Sequence, residues 1–292
     1  PLVELDLRIG IRFLQGHGSD SHVLYSGFPS LGTLNLLFYD LDTSTVENAA
    51  RVLHIFLKSC ISLHTLHLST YVTYASGQQT TLHMRSILER ALLWENRLDS
   101  GGPHLQTLKF SEFRPNLTPE LASALDMRAL KTLGILGTYH PCLTTTNEEF
   151  WSALTNKSLG AVNLTELTCS LLSPALIHFL RSFSGLEKLV ISSDYYSMMS
   201  SDSVSSSHPV GRDRDAERAV LNSFFNMALQ AHRASLRTFV LYLNDYRDDS
   251  SCITQEYLEN IIQCTSLQVL QVPVRYPGDD LVCARTQLNT TV

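Results

Sequence analysis

The sequence predicts an α/β solenoid, with short parallel strands along a concave side and helices along a convex side. Three observations carry that prediction. Leucine makes up 49 of the 292 residues. An apolar six-residue template recurs along the whole chain, and helical periodicity fills most of the gaps between its copies. Each strand–helix unit is too small to bury its apolar edge alone, so such units are stable only when stacked on their neighbours.

The template is Leu-x-x-Leu-x-Leu, with other apolar residues allowed. It matches nine times, starting at Leu2, Leu31, Leu63, Leu105, Leu130, Leu164, Leu186, Leu236 and Leu267. Successive starts lie 29, 32, 42, 25, 34, 22, 50 and 31 residues apart. Alternation within the template is the mark of a strand buried on one face. The segments between the matches switch to a three- and four-residue period. Asn48–Lys58 places Val52, Leu53, Phe56 and Leu57 on one side. Leu82–Trp94, Leu117–Leu125, Asn147–Leu154, Pro174–Phe183, Glu217–Ala231 and Gln255–Ile262 behave alike. Thr118-Pro119-Glu120, Ser173-Pro174 and Thr254-Gln255-Glu256 supply cap residues before the first turn. Two stretches fit neither pattern. Residues 8–30 read as irregular, and residues 193–214, rich in Ser and Asp, read as a disordered insertion that accounts for the 50-residue spacing.

Composition narrows the function classes. Hydrophobic residues are 44% and charged residues 17%, too apolar for a disordered chain. No uncharged run approaches the ~18 residues of a membrane span, and the first residues lack the basic-then-apolar order of a signal peptide. The net charge is −6, from 22 basic and 28 acidic residues. Basic residues form no cluster, and Arg212-Asp213-Arg214-Asp215 alternates in sign, so neither nucleic acid nor a membrane is the expected partner. Six cysteines without a Cys-x-x-Cys suit free thiols in a reducing compartment, the cytoplasm or nucleus. Sequons at Asn116, Asn156, Asn163 and Asn289 are expected by chance in a Ser/Thr-rich chain.

Alternation also assigns the side chains that leave the sheet. The second and third template positions point to the core, and their flanking residues face the open concave side. That open list is small, polar and mixed in sign at the N-terminal end, with Glu4, Asp6, Asn35, His67 and Lys109. It turns apolar toward Val190, Val240, Tyr242 and Pro273. His64 and His67 are three apart on a strand, so they point to opposite faces and share no ion. Cys60 and Cys264 fall in the last turn before a strand, where cysteine is a small buried hydrophobe. No nucleophile elbow, phosphate loop, dinucleotide fingerprint or paired-carboxylate site occurs. Neither an enzyme, nor a cofactor, nor a metal is expected.

Aromatic residues gather just beyond the strands. Tyr39, Tyr71 and Phe113 occupy equivalent positions and are expected to fill the turn core. Tyr74, Tyr139, Tyr196, Tyr242, Tyr246 and Tyr276 are expected to be exposed along one rim, where aromatics make good binding anchors. The expected protein-binding residues are these six tyrosines together with His67 and Lys109.

The template and its alternating helices resemble the leucine-rich repeat family, in its ribonuclease-inhibitor-like branch, over essentially residues 1–292 as a single domain of about nine irregular repeats. Cys60-Ile61-Ser62-Leu63-His64-Thr65-Leu66-His67-Leu68 and Cys264-Thr265-Ser266-Leu267-Gln268-Val269-Leu270-Gln271-Val272 are similar to the cysteine-containing repeats of F-box proteins. Uneven repeat lengths and the Ser-rich insertion resemble the fungal members. The resemblance implies a right-handed horseshoe that binds a protein substrate for a Skp–cullin–F-box ubiquitin ligase. It implies contact with the cullin adaptor only through an F-box outside this chain, preceding Pro1 in a longer parent. The alternative is a leucine-rich repeat scaffold or inhibitor with no ubiquitin role.

Overall fold

A computed structural model describes residues 2–10, 28–39, 46–71, 87, 90–91, 104–111, 117–136, 147–157, 162–170, 172–193, 214–243, 253–275 and 281–287. The chain divides into two units, residues 1–137 with 149–164, and residues 138–148 with 165–292. Each unit alternates strands with helices, and both are α/β.

In the first unit, β1 (Glu4–Gly10), β2 (Thr33–Tyr39), β3 (Thr65–Tyr71), β4 (Thr107–Ser111) and β5 (Thr132–Ile135) pair in parallel in chain order. The register aligns equal template positions. Leu5, Leu34, Leu66, Leu108 and Leu133 form one row, and Leu7, Leu36, Leu68, Phe110 and Ile135 the next. From β2 onward both rows are buried, as the alternation predicts. Helix α1 (Val46–Ser59) puts Val52, Leu53, Phe56 and Leu57 into the core, as its periodicity predicts. Residues 87, 90 and 91, within the predicted helix Leu82–Trp94, are helical; the rest of that segment lies outside the described residues. Helix α2 (Pro119–Ala124) starts where Thr118 accepts a hydrogen bond from the Leu121 N–H at 3.3 Å. Helix α3 (Glu148–Lys157) buries Phe150, Trp151 and Leu154.

The second unit repeats the scheme. Strands β6 (Glu166–Cys169), β7 (Lys188–Ser193), β8 (Thr238–Leu243) and β9 (Val269–Arg275) pair in parallel in chain order. Helix α4 (Pro174–Arg181) is capped by Ser173, which accepts from the Leu176 N–H at 3.2 Å. Helix α5 (Arg214–Ser223) starts three residues before its predicted onset and runs into a π-helical stretch, Phe224–Ala228, then a last turn, Leu229–Ala231. Consecutive Phe224 and Phe225 are both fully buried there, and both lie against Phe239 of β8. Helix α6 spans Gln255–Ile262, as predicted, with Thr254 as its cap.

A backbone motif shows how closely the units repeat. The residue after the first template leucine offers one carbonyl to two successive N–H groups of the next repeat. Val3 accepts from Gly32 and Thr33, Gly32 from His64 and Thr65, His64 from Gln106 and Thr107, and Gln106 from Lys131 and Thr132. The second unit does the same with Thr165, Glu187 and Arg237 as acceptors. Within each unit this places a strand one ladder spacing from the one before it, whatever the length of chain between them. Uneven repeat lengths are therefore absorbed in the connections. Gly185, in the turn between α4 and β7, has φ +100°, a backbone region only glycine enters at no steric cost.

Three sequence expectations are corrected. Residues 8–10 of the predicted irregular stretch 8–30 belong to β1, and residues 11–27 lie outside the described residues. At the ends of the predicted insertion 193–214, Ser193 ends β7 and Arg214 opens α5; residues 194–213 lie outside the described residues. The last strand departs from the parallel scheme: β10 (Leu281–Gln287) pairs antiparallel with β9. Five residues separate them, too few for the crossover of a dozen or more that a parallel pair needs. Among the described residues no helix is long and apolar enough to cross a membrane.

Candidate functional site

The strand face opposite the leucine rows carries the exposed polar side chains. In the first unit it has three rows, each built from one template position. Glu4, Thr33, Thr65, Thr107 and Thr132 form the first, and Asp6, Asn35, His67, Lys109 and Gly134 the second. Arg8, Leu37, Ser69 and Ser111 form the third. Neighbours within a row sit one interstrand spacing apart, ~4.8 Å.

Two of the predicted binding residues meet here. His67 and Lys109 are register partners on β3 and β4. His67 is half-buried, and its Nε2 lies 2.6 Å from the Ser111 hydroxyl, two residues beyond Lys109. Lys109 is exposed, and its stem lies along Gly134, whose missing side chain leaves the room: a Cβ there would stand 3.1 Å from Lys109 Cγ. At the other end of the row the Asn35 amide donates to Asp6 and, at 3.5 Å, to Glu4. The Ser69 hydroxyl donates to the Leu36 carbonyl at 3.4 Å.

In the second unit the face is more apolar, as predicted. Thr168, Val190, Val240 and Gln271 form its middle row, and Val240 is buried. The charged residues of the first row pair within the face, Lys188 with Glu166 at 3.5 Å. Beside that row Arg237 meets Glu187 at 3.8 Å. Tyr242, the third predicted site residue within reach, is half-buried beside Ser192.

Tyr74, Tyr139, Tyr196, Tyr246 and Tyr276 lie outside the described residues, as does Phe113. Of the tyrosines expected to fill the turn core, Tyr39 is instead 39% exposed at the end of β2. The alternation explains it: Phe38 takes the inward position and is fully buried, and its neighbour must point out. Tyr71 ends β3 in register with Tyr39.

His64 and His67 have separate partners, the first sharing a hydrogen bond with Thr65 Oγ1 at 3.1 Å. Among the described residues no three His, Cys, Asp or Glu side chains converge as a metal site would require. Cys60 and Cys264 are buried free thiols in the turn before a strand, where each accepts, through its carbonyl, the N–H of the first template leucine. Burial pushes both thiols up, Cys264 to about 11. His232 takes the corresponding place before β8 and is 1% exposed. Asn163, one of the sequon residues, donates its side-chain amide to the Arg128 carbonyl at 2.7 Å.

The pairings Asn35 with Asp6 and His67 with Ser111 were not anticipated from the sequence. Alignment of the templates does place the four residues on adjacent strands of one face, and that was the available signal. Comparison of the chain with family models, with curated proteins and with solved structures finds no match in any of the three.

Proposed function

We propose that this chain is a protein-recognition module that binds its partner on the open strand face, as leucine-rich repeat horseshoes do. In this reading the repeats are of the ribonuclease-inhibitor-like type, wound right-handed, with strands concave and helices convex. The partner is a substrate that a longer parent protein, carrying an F-box, delivers to a Skp–cullin–F-box ubiquitin ligase in the cytoplasm or nucleus. The observation that supports recognition is the row structure of the first unit. Five strands in register hold polar side chains on one face while the leucine rows hold the backbone rigid behind them. Preorganised side chains bind at low entropic cost. The ligase role is supported by the Cys-containing repeats at Cys60 and Cys264.

The parent protein is captured from its own cells as wild type and as His67→Trp, a bulky change on the half-exposed face. The expected result is that adaptor and cullin accompany both proteins and that a further protein accompanies only the wild type. Adaptor and cullin missing from both would overturn the ligase role and leave the scaffold or inhibitor. Identical companions for both proteins would overturn recognition by this face.

A further inference from the structure

Charge on the strand face of the first unit is separated into two ends. Glu4 and Asp6 on β1 are exposed, and the Asn35 amide holds the two carboxylates together. Arg8 stands two residues beyond Asp6 on the same strand and closes the acidic end on that side. Lys109 on β4 is exposed and makes no ion pair among the described residues. Between the two ends stand the hydroxyl and amide groups of Thr33, Thr65, Thr107 and Asn35, all half-exposed, together with Leu37, and His67 lies with its Nε2 at Ser111. Two carboxylates at one end of a face and an ammonium at the other, with no ion pair to Lys109 among the described residues, form a pattern that a complementary partner can read.

The separation of the ends sets what can read it. From β1 to β4 is three interstrand spacings, about 14 Å. An extended chain advances about 3.3 to 3.6 Å per residue, so four residues cover that distance. An even step of four also returns a side chain to the same side of an extended segment.

We propose that this face binds an extended segment of a partner protein laid across β1 to β4. A lysine or arginine of the segment sits against Glu4 and Asp6. An aspartate or glutamate four residues away along the segment sits against Lys109. The proposal rests on the reading of the strand face as a protein-binding surface and specifies the chemistry of what it takes. Gly134 has a part in it: its bare backbone leaves room for the Lys109 stem, which a side chain there would crowd.

The test uses the whole chain and fluorescently labelled ten-residue peptides on a Gly/Ser background. One peptide carries a lysine and a glutamate four residues apart, two carry like charges at the same places, and one carries lysine and glutamate three apart. At low salt the four-apart opposite-charge peptide is expected to bind about threefold to tenfold tighter than the others, a difference that disappears at 1 M salt. In Lys109→Glu the doubly basic peptide becomes the tightest, and in Glu4→Lys/Asp6→Lys the doubly acidic one does. All three substituted side chains are exposed, and an unchanged circular dichroism spectrum confirms the fold. Peptides that fail to bind, or an order of affinities that Lys109→Glu leaves unchanged, would overturn the proposal. Retention of the cellular partner by Lys109→Glu, with its loss in His67→Trp, would overturn the charge pattern while sparing recognition by the face.

Discussion

His232 shows how a single side chain can tie stability to pH. Its ring is buried against Phe183, with centroids 4.9 Å apart, and Nδ1 accepts from the Leu186 N–H at 3.4 Å. Burial pushes its pKa down to about 4, against a smaller upward pull from the Leu180 backbone. The folded chain therefore holds a neutral ring at a pH where the unfolded chain, titrating near 6.5, already takes up a proton. Between these values the unfolded state binds more protons, so stability rises with pH. The contribution is complete above pH 6.5 and is lost as pH falls toward 4, on the order of 3 kcal/mol in all. Urea unfolding at pH 7.5 and at pH 5 is expected to differ in midpoint for the wild type. In His232→Leu that difference shrinks; an equal pH dependence in both proteins would show that other groups cause it.

At the scale of single elements, the helix starts were the most legible features. Thr118, Ser173 and Thr254 all cap through the side-chain oxygen, as their place before Pro119, Pro174 and Gln255 suggests. Their burial, which the sequence does not reveal, ranks their importance. Ser173 is 2% exposed and Thr254 is solvent-exposed. Removing either acceptor orphans an N–H, and the orphan is costlier where water cannot replace the partner. Ser173→Ala is expected to cost about 2 kcal/mol and Thr254→Ala about 0.5 to 1 kcal/mol. Denaturant midpoints of the two variants would test that order. The element that sequence reasoning missed is β10. Its residues carry no template, and its direction follows only from the short return after β9.

At the scale of the molecule, the two leucine rows make each strand depend on its neighbours. Leu108 is fully buried between Leu66 and Leu133 in the row of the first unit. Leu108→Ala is expected to cost about 2 to 5 kcal/mol. The loss should spread by contact to the strands on either side. Hydrogen exchange is the direct measurement: protection is expected to fall at β3 and β5 as well as at β4. A loss confined to β4 would mean that the strands are held one by one, chiefly by their helices.

Leucine spacing alone determined that strands and helices alternate, that equal template positions pair across strands, and which side chains leave the core. It could do so because a period of two assigns faces without reference to anything distant. Which polar neighbour each outward side chain chooses was decided only by the tertiary structure. Asn35 could have turned to His67 and turned to Asp6; His67 could have turned to Asn35 and turned to Ser111. Those choices depend on rotamers and on a cross-strand distance of ~4.8 Å that no one-dimensional pattern contains. They also leave Lys109 at one end of the face with no ion pair among the described residues, and the two carboxylates at the other.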